Sequence, residues 1–117
     1  MDPLRRQLTD PSLLGLSKII DLFRLMDREI PAQVIMTFLY IAAHDNCHKQ
    51  ALEEDLNLTT ASSSRNTDWL SDHHRLNKPG LGLIIKSQDP VNRRRIVLKL
   101  SHKGRLLINA IKDALDD

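Results

Sequence analysis

The chain has 117 residues, 41% of them hydrophobic and 27% charged, which suits a single globular domain and leaves no room for a second independent core. It holds four aromatic residues, Trp69, Tyr40, Phe23 and Phe38, too few for base-stacking platforms on single-stranded nucleic acid, and no apolar run long enough for a membrane span. The formal net charge of +2 hides an asymmetry: residues 1–60 carry six Lys/Arg against nine acids, residues 61–117 eleven against six, so an anionic partner is expected for the second half, nucleic acid first.

In chain order, PSLLGLSKIIDLFRLMDREI (12–30 as a helix, with Ser12 as its cap) has helical periodicity. Leu13, Leu16, Ile20 and Phe23 form one stripe, and Ile19, Leu22, Met26 and Ile30 another, a wider apolar surface than a peripheral helix needs. Pro31 restarts a helix, and PAQVIMTFLYIAAH (31–44) is apolar nearly all round, which predicts a central, buried helix. HDNCHKQ (44–50) reads as a polar connector, KQALEEDL (49–56) as a short helix with Leu52 and Leu56 inward, and NLT (57–59) as a tight turn whose Thr59 caps the next helix. That next segment, TASSSRNTDWLSDHHRL (60–76), has only Ala61, Trp69, Leu70 and Leu76 as strong apolar residues, so propensity alone does not make it a helix. NKPG breaks it; LGLIIKS (81–87) and RIVLKL (95–100) read as two strands around the loop QDPVNRR, and Ser101 caps a last helix (101–116).

The order helix, helix, short helix, tight turn, polar helix, hairpin, helix is that of a winged helix-turn-helix: mainly α with a small β-hairpin. The whole chain, 1–117, is one such domain, with the helix-turn-helix at 49–75 and the wing at 81–100. From about Pro31 to Ile111 the sequence resembles winged helix-turn-helix regulators of the MarR (multiple antibiotic resistance regulator) family. The resemblance rests on GLGLIIKSQDPVNRRRIVLKLSHKGRLL, where Gly82-Leu83-Ile84, Asn92-Arg93-Arg94-Arg95 and Leu100-Ser101-His102-Lys103-Gly104 stand at the family's wing positions, and on ALEEDLNLTTASSSRNTDWL, with Ser64-Arg65 in the recognition helix. Asn92 stands where the family's wing usually has Asp, Ser63 where its recognition helix has an aliphatic residue, and SDHHRLNKPG is longer than its usual link to the wing. The resemblance implies a homodimer built through terminal helices, double-stranded DNA as partner, and transcriptional regulation, most often repression; a small-molecule effector is the weaker implication, since the chain is shorter than typical members.

The candidate DNA contacts follow. A hairpin bend lets Arg93, Arg94 and Arg95 project beyond the domain, where planar guanidinium forks can grip phosphates or enter a minor groove. Within the resemblance Arg94 is the first choice, with Arg93 and Arg95 as its neighbours and Asn92 just before them; the alternative for Arg95 is to face the body at the start of the strand. Thr60, Ala61, Ser62, Ser64 and Arg65 fall on the first two turns of the recognition helix, where small hydroxyl side chains permit close approach to a major groove and Arg65 can pair with guanine. Arg75 and Lys78 are candidates for further phosphate contacts. Leu13, Leu16, Ile20, Phe23, Ile111 and Leu115 are the candidate dimer residues.

Other chemistries find little support. His44, Cys47, His48, His73 and His74 match no common zinc spacing, so no metal or other cofactor is expected. Cys47 forms no internal disulfide and has only Lys49 nearby to acidify it as a redox sensor; a reducing, cytoplasmic setting is expected. Glu53, Glu54 and Asp55 read as a solvated helix face, and neither a phosphate-cradling glycine loop nor a nucleophile elbow is present, so the chain does not read as an enzyme. The competing function is a winged-helix adaptor that binds a protein without reading DNA.

Overall fold

The structure is a computed structural model that describes residues 6–7, 9–72 and 78–116. Its elements are α1 (Pro11–Met26), α2 (Ala32–Ala43), β1 (Cys47–His48), α3 (Lys49–Leu56), α4 (Thr60–Leu70), β2 (Ile84–Gln88), β3 (Ile96–Leu100) and α5 (His102–Asp116). The strands form one antiparallel sheet in the order β1-β3-β2. The fold class read from the sequence, mainly α with a β wing, is the one observed.

Differences of detail have local causes. The cap of α1 is Asp10, not Ser12: its carboxylate accepts from the backbone N–H groups of Ser12 at 3.0 Å and Leu13 at 3.4 Å. The helix stops at Met26, before the expected Ile30, because Asp27 leaves helical geometry. One oxygen of Asp27 then accepts from the Glu29 N–H at 2.9 Å and the other from the Trp69 indole at 2.6 Å. Polar residues 44–50 are not all connector, since Cys47 and His48 pair with Leu98 and Val97 and widen the wing's base to three strands.

The polar segment after the tight turn is a helix, as its position demanded, but α4 ends at Leu70, short of 75. The chain returns at once to close that end: the backbone N–H groups of Leu81, Gly82 and Leu83 donate to the carbonyls of Trp69, Ser71 and Leu70. These bonds take over the carbonyls left open at a helix C-terminus. Gly82 makes this crossing with φ +68°, a left-handed conformation that glycine adopts without steric cost. The wing strands run 84–88 and 96–100, not 81–87 and 95–100, since residues 81–83 serve the end of α4. Arg75, His73, His74 and Leu76 lie outside the described residues.

The core lies between α1, α2, α5 and the sheet. Phe23 and Phe38 meet edge to face at 5.7 Å between ring centres, and Val34, Ile41, Leu52, Leu70, Leu83 and Leu98 close around them with at most 2% exposure. Phe23 and Ile111, expected on a surface shared with a second copy, are instead buried within the chain. Ser101 caps α5 as expected, its hydroxyl oxygen accepting from the Gly104 N–H at 3.0 Å and donating to the Gly82 carbonyl at 2.6 Å.

Gly104 is where α5 presses closest on the wing's entry strand. A Cβ there would sit 2.1 Å from the Leu83 carbonyl oxygen, which is backbone and cannot rotate away. Gly104→Ala should therefore cost about 1–3 kcal/mol, as overpacking does. In urea melts this would lower the midpoint at an unchanged slope; a midpoint equal to wild type would show that α5 does not bear on Leu83.

Candidate nucleic-acid interface

The site begins with the turn between α3 and α4. Asn57 ends α3 in a left-handed conformation, φ 54°, ψ 49°, with its N–H and that of Leu58 satisfying the carbonyls of Glu54 and Glu53. Asparagine tolerates that region better than most residues, and the reversal takes three residues. Thr59 then caps α4, its hydroxyl oxygen accepting from the Ser62 N–H at 3.0 Å.

The inner face of α4 repeats at helical spacing, yet most of it is polar: Ser63, Asn66, Thr67 and Leu70 are the buried residues. Each polar member has a partner. The Ser63 hydroxyl donates to the Glu53 carboxylate of α3. Asn66 donates to the Thr37 hydroxyl of α2 at 3.3 Å and the Gln33 side-chain oxygen at 3.4 Å, and Thr67 donates to the Ser63 carbonyl at 2.8 Å. Glu53 also accepts from the Lys49 ammonium at 2.5 Å and from the Thr60 hydroxyl at 3.4 Å. Burial works to raise the Glu53 pKa, but the hydrogen bonds from Lys49 and Ser63 and the Lys49 charge outweigh it and hold the carboxyl below its usual 4.5. The aliphatic contact expected inside a recognition helix is thus replaced by an ionised carboxylate held between Lys49 and Ser63.

With that face committed, the other faces out. Thr60, Ala61 and Arg65 are exposed and Ser62 and Ser64 half-buried, so the five predicted contact residues share the outward side. Arg65 donates to the Ser62 hydroxyl at 3.1 Å, which steadies the guanidinium along the helix. Asp68, nearer the C-terminal end, is paired with Lys86 of β2.

The wing tip is a seven-residue turn, 89–95, between the last strand pair, Gln88 and Ile96. Asp89 organises it. Its backbone N–H donates to the Arg95 carbonyl at 2.9 Å, and Oδ1 accepts from the N–H groups of Val91 at 2.8 Å and Asn92 at 3.4 Å. Oδ2 lies 2.9 Å from His48 Nε2, tying the turn to β1. The His48 contact and the Val91 N–H lower the Asp89 pKa, keeping the carboxylate ionised in this role. Asn92, in place of the family's usual Asp, still accepts the Arg94 N–H at 3.1 Å, a bond that either short side chain can make.

Arg93, Arg94 and Arg95 are exposed, and among the described residues no carboxylate pairs with their guanidinium groups. A cleft of about 400 Å³ between the wing and the helix-turn-helix is lined by Arg94 and Arg95 on one side and by Thr60, Gln50 and Lys49 on the other. The start of α4 and the arginine tip, read separately in the sequence, thus line one concavity. Lys78 is exposed beyond α4 and does not line it.

Residues that a linear reading passes over do much of the positioning. Glu53 looked like part of a solvated face, and only its spacing of four from Lys49 and ten from Ser63 hints at the pairing. His48 looked like connector. The remaining candidates resolve into structural roles: His44 stacks on Tyr40 at 4.1 Å and contacts its carbonyl through Nδ1 at 2.7 Å. Cys47 is 4% exposed, and burial, with the Asp55 charge, pushes its pKa up to about 11, so the thiol stays protonated and a poor nucleophile. No helix among the described residues is long and apolar enough to cross a membrane.

No family model matches the chain, and neither does any curated protein. Solved structures do. The crystal structure of MarR is 23% identical with a TM-score of 0.61, covering 89% of this chain and 75% of that one. The Staphylococcus aureus MepR–DNA complex is 20% identical with a TM-score of 0.67, over the same 89% and 75%. The transcriptional repressor CouR, bound to a 23-mer DNA duplex, is 20% identical with a TM-score of 0.63, covering 89% of this chain and 66% of its own. The chain has the MarR-type winged-helix fold.

The Glu53 clamp makes a pH-dependent prediction. Because the folded-state pKa lies below the unfolded value near 4.5, the clamp's contribution is present above that pH and is lost as the pH falls through the folded value. Glu53→Gln should cost about 1–3 kcal/mol at pH 7 through the charged hydrogen bonds it weakens. Thermal melts of both proteins across pH 3–7 should then converge at the acid end; a gap of constant size would exclude the ionised clamp.

Proposed function

We propose that the protein binds double-stranded DNA as a homodimer and regulates transcription, most simply as a repressor. The observation that carries this reading is the shared concavity, with Thr60 at the start of α4 facing Arg94 and Arg95 across one cleft. A helix of small and hydroxyl side chains can lie deep in a major groove, while guanidinium groups on a projecting turn reach the adjoining backbone and minor groove. That the same fold occurs in MepR and CouR complexes with DNA supports the assignment. In this reading Arg65, Ser64 and Ser62 meet base edges, Thr60 and Ala61 the groove wall, and Asn92 to Arg95 the backbone and minor groove.

The dimer is supported by what α1 leaves open. Leu13, Leu16 and Ile20, at helical spacing, are 63%, 53% and 52% exposed, and Leu115 of α5 is 59% exposed. α1 and α5 lie side by side, with Gly15 against the Ala114 carbonyl, so these side chains can form one apolar surface. Two copies joined there would present two recognition helices to half-sites about one DNA turn apart.

Three variants test the reading by fluorescence anisotropy at several salt concentrations, with sedimentation for assembly. Arg94→Ala should weaken binding to chosen and random duplexes alike and lower the salt slope by about 1, whereas Arg65→Ala should mainly erase discrimination between sequences. Leu16→Asp with Ile20→Asp should yield monomers that bind a two-half-site duplex at least tenfold less tightly. A wild-type protein that ignores duplex DNA at low salt but retains a protein partner after nuclease treatment would favour the adaptor reading instead.

A further inference from the structure

Among the large hydrophobic side chains in the described residues, Val91 is the most exposed, at 95%, ahead of Leu25 at 76%. A single exposed apolar residue normally needs no explanation. This one stands at the tip of the wing, with exposed Pro90 before it and Arg93, Arg94 and Arg95 just after. It is also held in place. The Val91 N–H is bound at 2.8 Å by Asp89, whose other oxygen meets His48, and Arg95 closes the turn through bonds to Asn92 and Asp89. Proline fixes one backbone angle of the approach, and a β-branched side chain is stiff about its first bond. The tip is thus a small, rigid, apolar point backed by cations.

We propose that Pro90-Val91 acts as a wedge that enters the minor groove and partly opens a base step, bending the duplex toward the major groove. The inference rests on the duplex-DNA reading and adds a deformation to it. Apolar side chains inserted between steps unstack them, and the cost is offset when the bend brings more backbone to the protein. Here the arginines that follow are placed to hold the phosphates flanking the opened step. The wedge favours flexible pyrimidine–purine steps beneath the wing, giving sequence preference without a base-edge hydrogen bond.

The test uses the full chain and two 30-base-pair duplexes that differ at one base, one fully paired and one with a single mismatch that lowers the cost of opening a step. End-to-end energy transfer reads the bend, and anisotropy reads affinity. Wild type should bind the mismatched duplex about tenfold more tightly and shorten the end-to-end distance of both. Val91→Ser should keep affinity for the intact duplex within about threefold but lose both the preference and the bend, and Val91→Ile should keep them. Arg94→Ala should weaken both duplexes equally. Equal binding of the two duplexes by wild type, or a preference that survives in Val91→Ser, would overturn the wedge and leave DNA binding intact. Binding to neither duplex would remove the DNA reading and the wedge with it.

Discussion

The Glu53 carboxylate is the fixed point of the site. It takes the Lys49 ammonium from its own helix and the Ser63 hydroxyl from the next, so one ionised group ties α3 to α4. Leaving this half-buried carboxylate without these partners would cost more than forming the bonds returns. The outward face of α4 depends on it together with the bonds of Asn66 and Thr67. Thr60, Ser64 and Arg65 point away from the domain because Ser63, Asn66 and Thr67 are held inward.

The wing depends on the same kind of short polar tie. His48 belongs to a strand of two residues, yet its contact with Asp89 connects the wing's tip to the segment that leads into α3. Lys49 follows His48 directly and carries the first bond to Glu53. Hydrogen bonds at either end of the His48–Lys49 peptide link therefore tie the arginine turn through β1 and α3 to α4, and the two halves of the cleft are parts of one braced frame.

The sequence reading captured what periodicity and turn chemistry encode: the central helix from its all-round apolar face, the tight turn from NLT, the α5 cap from Ser101, and the hairpin from its alternation. The outward side of α4 was legible for the same reason, since residues three and four apart share a face. What stayed hidden had a common cause. Glu53 and Ser63, Asn66 and Thr37, His48 and Asp89, and Trp69 and Asp27 each pair across 10 to 42 residues through polar groups that leave no hydrophobic pattern. Polarity suggested solvent, and folding turned it inward. Phe23 and Ile111 erred the other way: both are apolar enough for a shared interface, but the single chain already has a core to place them in.

The separation of roles around α4 has an evolutionary consequence. Apart from Thr60, whose hydroxyl also donates to Glu53, the side chains that seat the helix and those that face outward occupy different positions, and none of the outward five is fully buried. Changing Ala61 or Ser64 thus leaves the seating bonds of Ser63, Asn66 and Thr67 untouched. A lineage carrying this scaffold can change the outward face of α4 through single substitutions without first acquiring spare stability, provided the inner polar row stays as it is.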